Sequence, residues 1–88
     1  MSLRNKYEDC VQRVFCEEVY KTRKSRGLTQ ADMAERLSMA PRSYADIDRG
    51  IGSCSGTTLA LYIANECPDV AEFVKKLHEE FQKAENEE

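Results

Sequence analysis

Apolar side chains fall at Leu3, Tyr7, Cys10, Val11, Val14, Phe15 and Val19, spaced mostly three and four apart. That period belongs to an amphipathic helix, predicted from about Leu3 to Ser25. No Pro or Gly interrupts it. Its last turn carries Lys21, Arg23, Lys24 and Arg26, which suit the negative end of the helix dipole, and Gly27 ends it. Residues 29–50, TQADMAERLSMAPRSYADIDRG, repeat the pattern in two shorter pieces. Met33 and Leu37 share one helical face, and Tyr44 and Ile47 share another. Ala34 is small enough to let two helices cross closely. Thr29 is a good N-cap, with Asp32 three residues later. The second helix therefore runs to about Leu37. Ser38, Met39 and Ala40 form the turn, and Pro41 suits the first position of a third helix. That helix ends near Arg49, where Gly50 stops it.

The small-residue segment from Ile51 to Gly56, IGSCSG, reads as a loop. Ser55 or Thr57 caps a fourth helix holding Leu59, Tyr62 and Ile63. Pro68 opens a fifth, over about 68–83, with Val70, Phe73, Val74, Leu77 and Phe81 on one stripe. Val70, Phe73 and Val74 are assigned to the core, and Leu77 and Phe81 are candidate contacts to a second copy. Residues 84–88 form a frayed tail. The fold class is all-α, a compact bundle of about five helices in a single domain spanning 1–88, with no strand signal and no repeats.

The chain has 88 residues, enough for one modest core. No run approaches the roughly 20 apolar residues of a membrane span, and MSLRNKYEDC has no apolar stretch like a signal peptide. The expected location is the cytoplasm. Net charge is −3, but it is unevenly placed. Residues 1–50 carry ten Lys/Arg against eight Asp/Glu, whereas residues 51–88 carry three against eight. The acid lies mainly in the C-terminal part, so a local basic patch on the N-terminal part is compatible with an acidic whole.

The four cysteines, Cys10, Cys16, Cys54 and Cys67, form no CxxC pair, and there is one His, His78. That spacing excludes an ordinary zinc site, and no metal or cofactor is expected. The cysteines read as reduced thiols packed as small apolar residues. A redox pair, if present, would use Cys54 and Cys67 across the fourth helix. No nucleophile stands at recognisable spacing from His78, and there is no glycine-rich phosphate loop, so no catalytic residues and no enzyme are expected.

From Phe15 to about Ile63 the chain resembles the lambda-repressor-like (Xre/Cro) family of helix-turn-helix DNA-binding domains. The resemblance rests on RKSRGLTQ (Arg23 to Gln30), on Ala34 and Leu37, and on Ile47, Asp48, Arg49 and Gly50. It implies that the third helix enters the major groove of double-stranded DNA and that two copies bind as a homodimer. It implies that Gln30 contacts phosphate and that Pro41, Arg42, Ser43, Ala45, Asp46 and Arg49 face the groove. The following loop, Ile51 to Ser55 and including Ser53, would offer its amides to phosphate. Arg42 is suited to guanine, and Asp46 to the amine of cytosine or to repelling phosphate. The chain departs from the family pattern with Thr22 for an aliphatic residue, Ser38 for Gly, Ala40 for Ser or Thr, and Pro41 for a polar reader. The expected function is a small bacterial or phage transcriptional regulator. The alternative is a protein-interaction module on the same fold, such as an antitoxin-like or anti-repressor partner-binding protein.

Overall fold

A computed structural model describes residues 6–86. Five α-helices and no strand occur among them: α1 (Lys6–Arg26), α2 (Gln30–Arg36), α3 (Pro41–Asp48), α4 (Gly56–Leu61) and α5 (Val70–Asn86). A π-helical turn, Tyr62–Glu66, continues α4 without a break. Leu3 lies outside the described residues. Among the described residues no helix is long and apolar enough to cross a membrane.

The first three helices end in the same way. Gly27 donates to the Lys24 carbonyl at 3.2 Å and Leu28 donates to that of Arg23 at 3.1 Å. Ser38 and Met39 repeat this pair of bonds onto Glu35 (3.1 Å) and Ala34 (2.9 Å), and Gly50 and Ile51 repeat it onto Ile47 (2.9 Å) and Asp46 (3.0 Å). Each is a Schellman closure, which needs a left-handed residue just past the helix. Gly27 (φ 68) and Gly50 (φ 79) adopt that conformation freely, whereas Ser38 (φ 56) carries a Cβ into it.

The helix starts differ. Thr29 and Asp32 form a full capping box on α2: the Thr29 hydroxyl accepts from the Asp32 amide at 3.0 Å, and the Thr29 amide donates to the Asp32 carboxylate at 3.0 Å. Ala40 has no side chain to cap α3, so Pro41 alone favours the start by its fixed φ and missing N–H. Ser55, rather than Thr57, caps α4 by accepting from the Thr58 amide at 3.1 Å. Pro68 does not open α5 as predicted. The helix begins at Val70, and Asp69 caps it by accepting from the Glu72 amide at 3.0 Å. Pro68 instead ends the previous element: it disfavours helix at Cys67, whose ψ is 121°.

The core gathers Phe15, Val19, Met33, Ala34, Leu37, Tyr44, Ile47, Tyr62 and Phe73. Tyr62 stands at its centre. Phe15 and Phe73 meet its ring edge-on, each with a centroid separation of 5.7 Å. Its hydroxyl and that of Thr22 share a hydrogen bond of 2.9 Å. The buried Thr22 therefore serves as a polar partner for a buried tyrosine, whose hydroxyl also reaches the Glu18 carbonyl at 3.4 Å.

The core assignment on α5 holds for Phe73 but not for Val70 and Val74. Phe73 is buried, but Val70 and Val74 are 41% and 52% exposed. Leu77 packs on the core, and the Phe81 ring meets that of Tyr7 edge-on at 5.5 Å. Leu77 and Phe81 are half-buried, while Val70 in the first turn stands exposed. Leu77 and Phe81 thus make contacts within the chain and keep part of their surface exposed. Polar bonds complete the seat: Arg13 with Glu80, Lys76 with Glu18 at 2.6 Å, and the Cys10 thiol to the Glu80 carbonyl at 3.5 Å.

Candidate nucleic-acid interface

Tyr44 and Ile47 anchor α3 by burying its inner face. Helical geometry then turns the neighbouring positions outward. Pro41, Arg42, Ser43 and Arg49 are exposed, while Ala45 and Asp46 are half-buried. Arg42 makes no hydrogen bond or ion pair with a described residue. Arg49 donates to the Asp46 carboxylate one turn back, at 3.3 Å. Gln30 is exposed at the start of α2, and Ser53 is exposed in the loop after α3.

A part-buried ion pair ties α3 to α1. Arg23 of α1 donates to Asp48 through Nη2 at 2.6 Å and Nε at 3.3 Å. Arg23 also donates to the Leu28 carbonyl at 2.8 Å. Gln30 Nε2 donates to the same Asp48 oxygen at 2.8 Å. Burial opposes the charge of Asp48, but the bonds from Arg23 and Gln30, with the neighbouring Tyr44 hydroxyl and the Arg23 charge, hold its pKa below the usual carboxylate value. Tyr44 is buried beside this pair without reaching hydrogen-bond geometry to either member, and burial drives its pKa well above the ordinary value. The start of α2 and the end of α3 are therefore joined to α1 through one carboxylate.

Several sequence expectations change here. The amides of Ile51 and Gly52 both donate to the Asp46 carbonyl at 3.0 Å, so they close the helix end and do not face outward. Gly50, marked in the sequence as the helix stop, is the signal that could have shown this. Gly52 is required for a different reason: a Cβ there would lie 2.7 Å from the Ile47 backbone nitrogen. The basic run of α1 is largely engaged. Arg23 is held by Asp48, and Arg26 donates to the Glu66 carboxylate and carbonyl, both at 2.8 Å. Arg36 shares that carboxylate at 3.3 Å. These long-range pairs have no local sequence signature.

The cysteines also sit differently. Cys54 and Cys67 are both free thiols and lie beyond opposite ends of the helical run of residues 56–66, whose length is roughly 16 Å. It is Cys16 that approaches the loop containing Cys54, its thiol 3.5 Å from the Gly52 carbonyl. Burial pushes the Cys16 and Cys54 thiols up, which disfavours the reactive thiolate. His78 is exposed on α5, and no group of three potential ligands is placed to hold a metal ion among the described residues.

No family model matches the chain, and no curated protein or solved structure matches it.

Proposed function

We propose that this chain binds double-stranded DNA in a sequence-specific manner, as a small cytoplasmic transcriptional regulator of the helix-turn-helix kind. The observation that carries the reading is the two-sided character of α3. Its inner face is locked by Tyr44, Ile47 and the Asp48–Arg23 pair, and its outer face offers Arg42, Ser43 and Arg49 in the open. A rigid helix with exposed polar side chains, crossed by a second helix through a four-residue turn, is a form that fits the major groove. Gln30, exposed at the start of α2 with its amide held by Asp48, is the α2 candidate for a phosphate contact. Two copies would set their α3 helices about 34 Å apart, on half-sites one helical turn apart.

The test is selection from a random duplex library with the purified chain, followed by sequencing. Enrichment of an inverted repeat supports a dimeric, sequence-specific binder. With few free cations on the face, the affinity should fall only gently with salt. The second reading, a protein-interaction module, is favoured by the exposed Val70 and Val74 on an otherwise acidic C-terminal part. A folded chain that enriches no duplex at low salt would leave that reading standing.

A further inference from the structure

Asp46 is the unusual residue on the outer face of α3. A bare carboxylate there would meet the phosphate backbone with like charge. The Asp46–Arg49 contact removes that difficulty: Oδ1 accepts from the Arg49 guanidinium at 3.3 Å, so the two side chains together carry no net charge. Oδ2 accepts no hydrogen bond from a described residue, and the side chain is 47% exposed. An ionised carboxylate is acceptor-only, with room for several bonds. The free oxygen can therefore accept a hydrogen bond from an exocyclic amine while its partner oxygen stays paired.

Arg42 lies one turn earlier on the same face. Four residues separate them along the helix axis by about 6 Å. Base pairs rise by about 3.4 Å, so the two side chains address positions one to two base pairs apart. Arg42 is also a donor-only fork next to a helix N-terminus, where a cation gains nothing from the dipole. Its geometry suits the paired acceptors O6 and N7 of guanine, and that of Asp46 suits the N4 amine of cytosine.

Resting on the DNA reading above, we propose that Arg42 and Asp46 form a two-residue reader of guanine and cytosine, with Arg49 as the residue that positions Asp46 and screens its charge. Each half-site then contains a guanine and a cytosine one to two base pairs apart.

The experiment is the same duplex selection, run in parallel with the intact chain, Arg42→Ala and Asp46→Asn. Both side chains point away from the core, and the Asp46 carbonyl bonds to Ile51 and Gly52 are backbone bonds that Asp46→Asn keeps. Circular dichroism should show unchanged helix content in both variants. The expected result is a guanine preference lost in Arg42→Ala, by roughly 5- to 150-fold. Asp46→Asn should retain that guanine and exchange the cytosine for adenine, which an amide reads. An unaltered cytosine in Asp46→Asn overturns the inference alone. So does uniformly tighter binding of all duplexes, since it makes Asp46 a repulsive charge and nothing more. No enriched sequence for the intact chain overturns the DNA reading, and the inference with it.

Discussion

Arg23 and Asp48 meet through two hydrogen bonds, of 2.6 and 3.3 Å, with side chains only 12% and 6% exposed. The pair joins the last turn of α1 to the last residue of α3. Removing the carboxylate leaves a buried guanidinium without its counter-charge, at a cost of about 3–5 kcal/mol. That is a large share of the stability of a domain this small. Asp48→Ala should lower the melting temperature by more than about 10 °C in a thermal scan. A loss below about 1 kcal/mol would show that water readily replaces the pair.

The same carboxylate shapes the acid response. Asp48 has its pKa held down by Arg23, Tyr44 and Gln30 against the cost of burial. Asp32 is lowered by its hydrogen bonds with Thr29, and Glu80 by Arg13 and then Lys83. In the unfolded chain these groups take up protons near pH 4. Their stabilisation is therefore present above about pH 4 and is lost as pH falls through the lower folded values. Melting temperatures should hold steady down to about pH 5 and then decline, less steeply in Asp48→Asn. At the other end, burial raises the thiols of Cys16 and Cys54 and pushes the Tyr62 hydroxyl up to about 12. Those groups stabilise the fold while neutral, so stability should fall again above about pH 9.

Ser38 closes α2 in the left-handed region with φ 56, where the other two Schellman closures have glycine. Ser38→Gly should remove that strain, offset in part by a freer unfolded chain. The expected gain is about 0.5–1 kcal/mol with no change in helix content. Urea titration checks it, and an unchanged or lower midpoint would mean that the turn bears its Cβ without cost.

Gly52 stands against the backbone of Ile47. Gly52→Ala would push a methyl to 2.7 Å from the Ile47 nitrogen, a contact that only a shift of the loop or of α3 can relieve. A loss of about 1–3 kcal/mol is expected. Because the loop closes the end of α3, amide exchange at Arg49, Gly50 and Ile51 should speed up more than exchange in α1. Equal acceleration throughout would contradict a local cause.

The sequence was most informative where structure is local. The spacing of Met33, Leu37, Tyr44 and Ile47 located α2 and α3 and their inner faces, and hence which α3 positions stand outside. Thr29, Asp32, Gly27 and Gly50 marked the boundaries because capping involves residues within one turn. The α5 stripe was legible as a stripe, but not in its contacts. Periodicity names a face without saying where along it the neighbour lies, so Val70 and Val74 emerged exposed while Leu77 and Phe81 are half-buried. The pairs Arg23–Asp48 and Arg26–Glu66 were illegible, since 25 and 40 residues separate their members. The outward loop amides were misjudged for the opposite reason: the local closure at Gly50 had already engaged those of Ile51 and Gly52.

Phe73 is the buried anchor of α5, and charged side chains supply much of the rest of its seat on α1. Exposed ion pairs of that kind are screened within about 8 Å at physiological salt. Phosphate contacts on the opposite part of the chain would weaken under the same treatment. On the proposed DNA reading, ionic strength would therefore act on this molecule twice, loosening its last helix and weakening its hold on a polyanion. A titration followed by helix content as well as by complex formation separates the two, since the first moves whether or not a duplex is present.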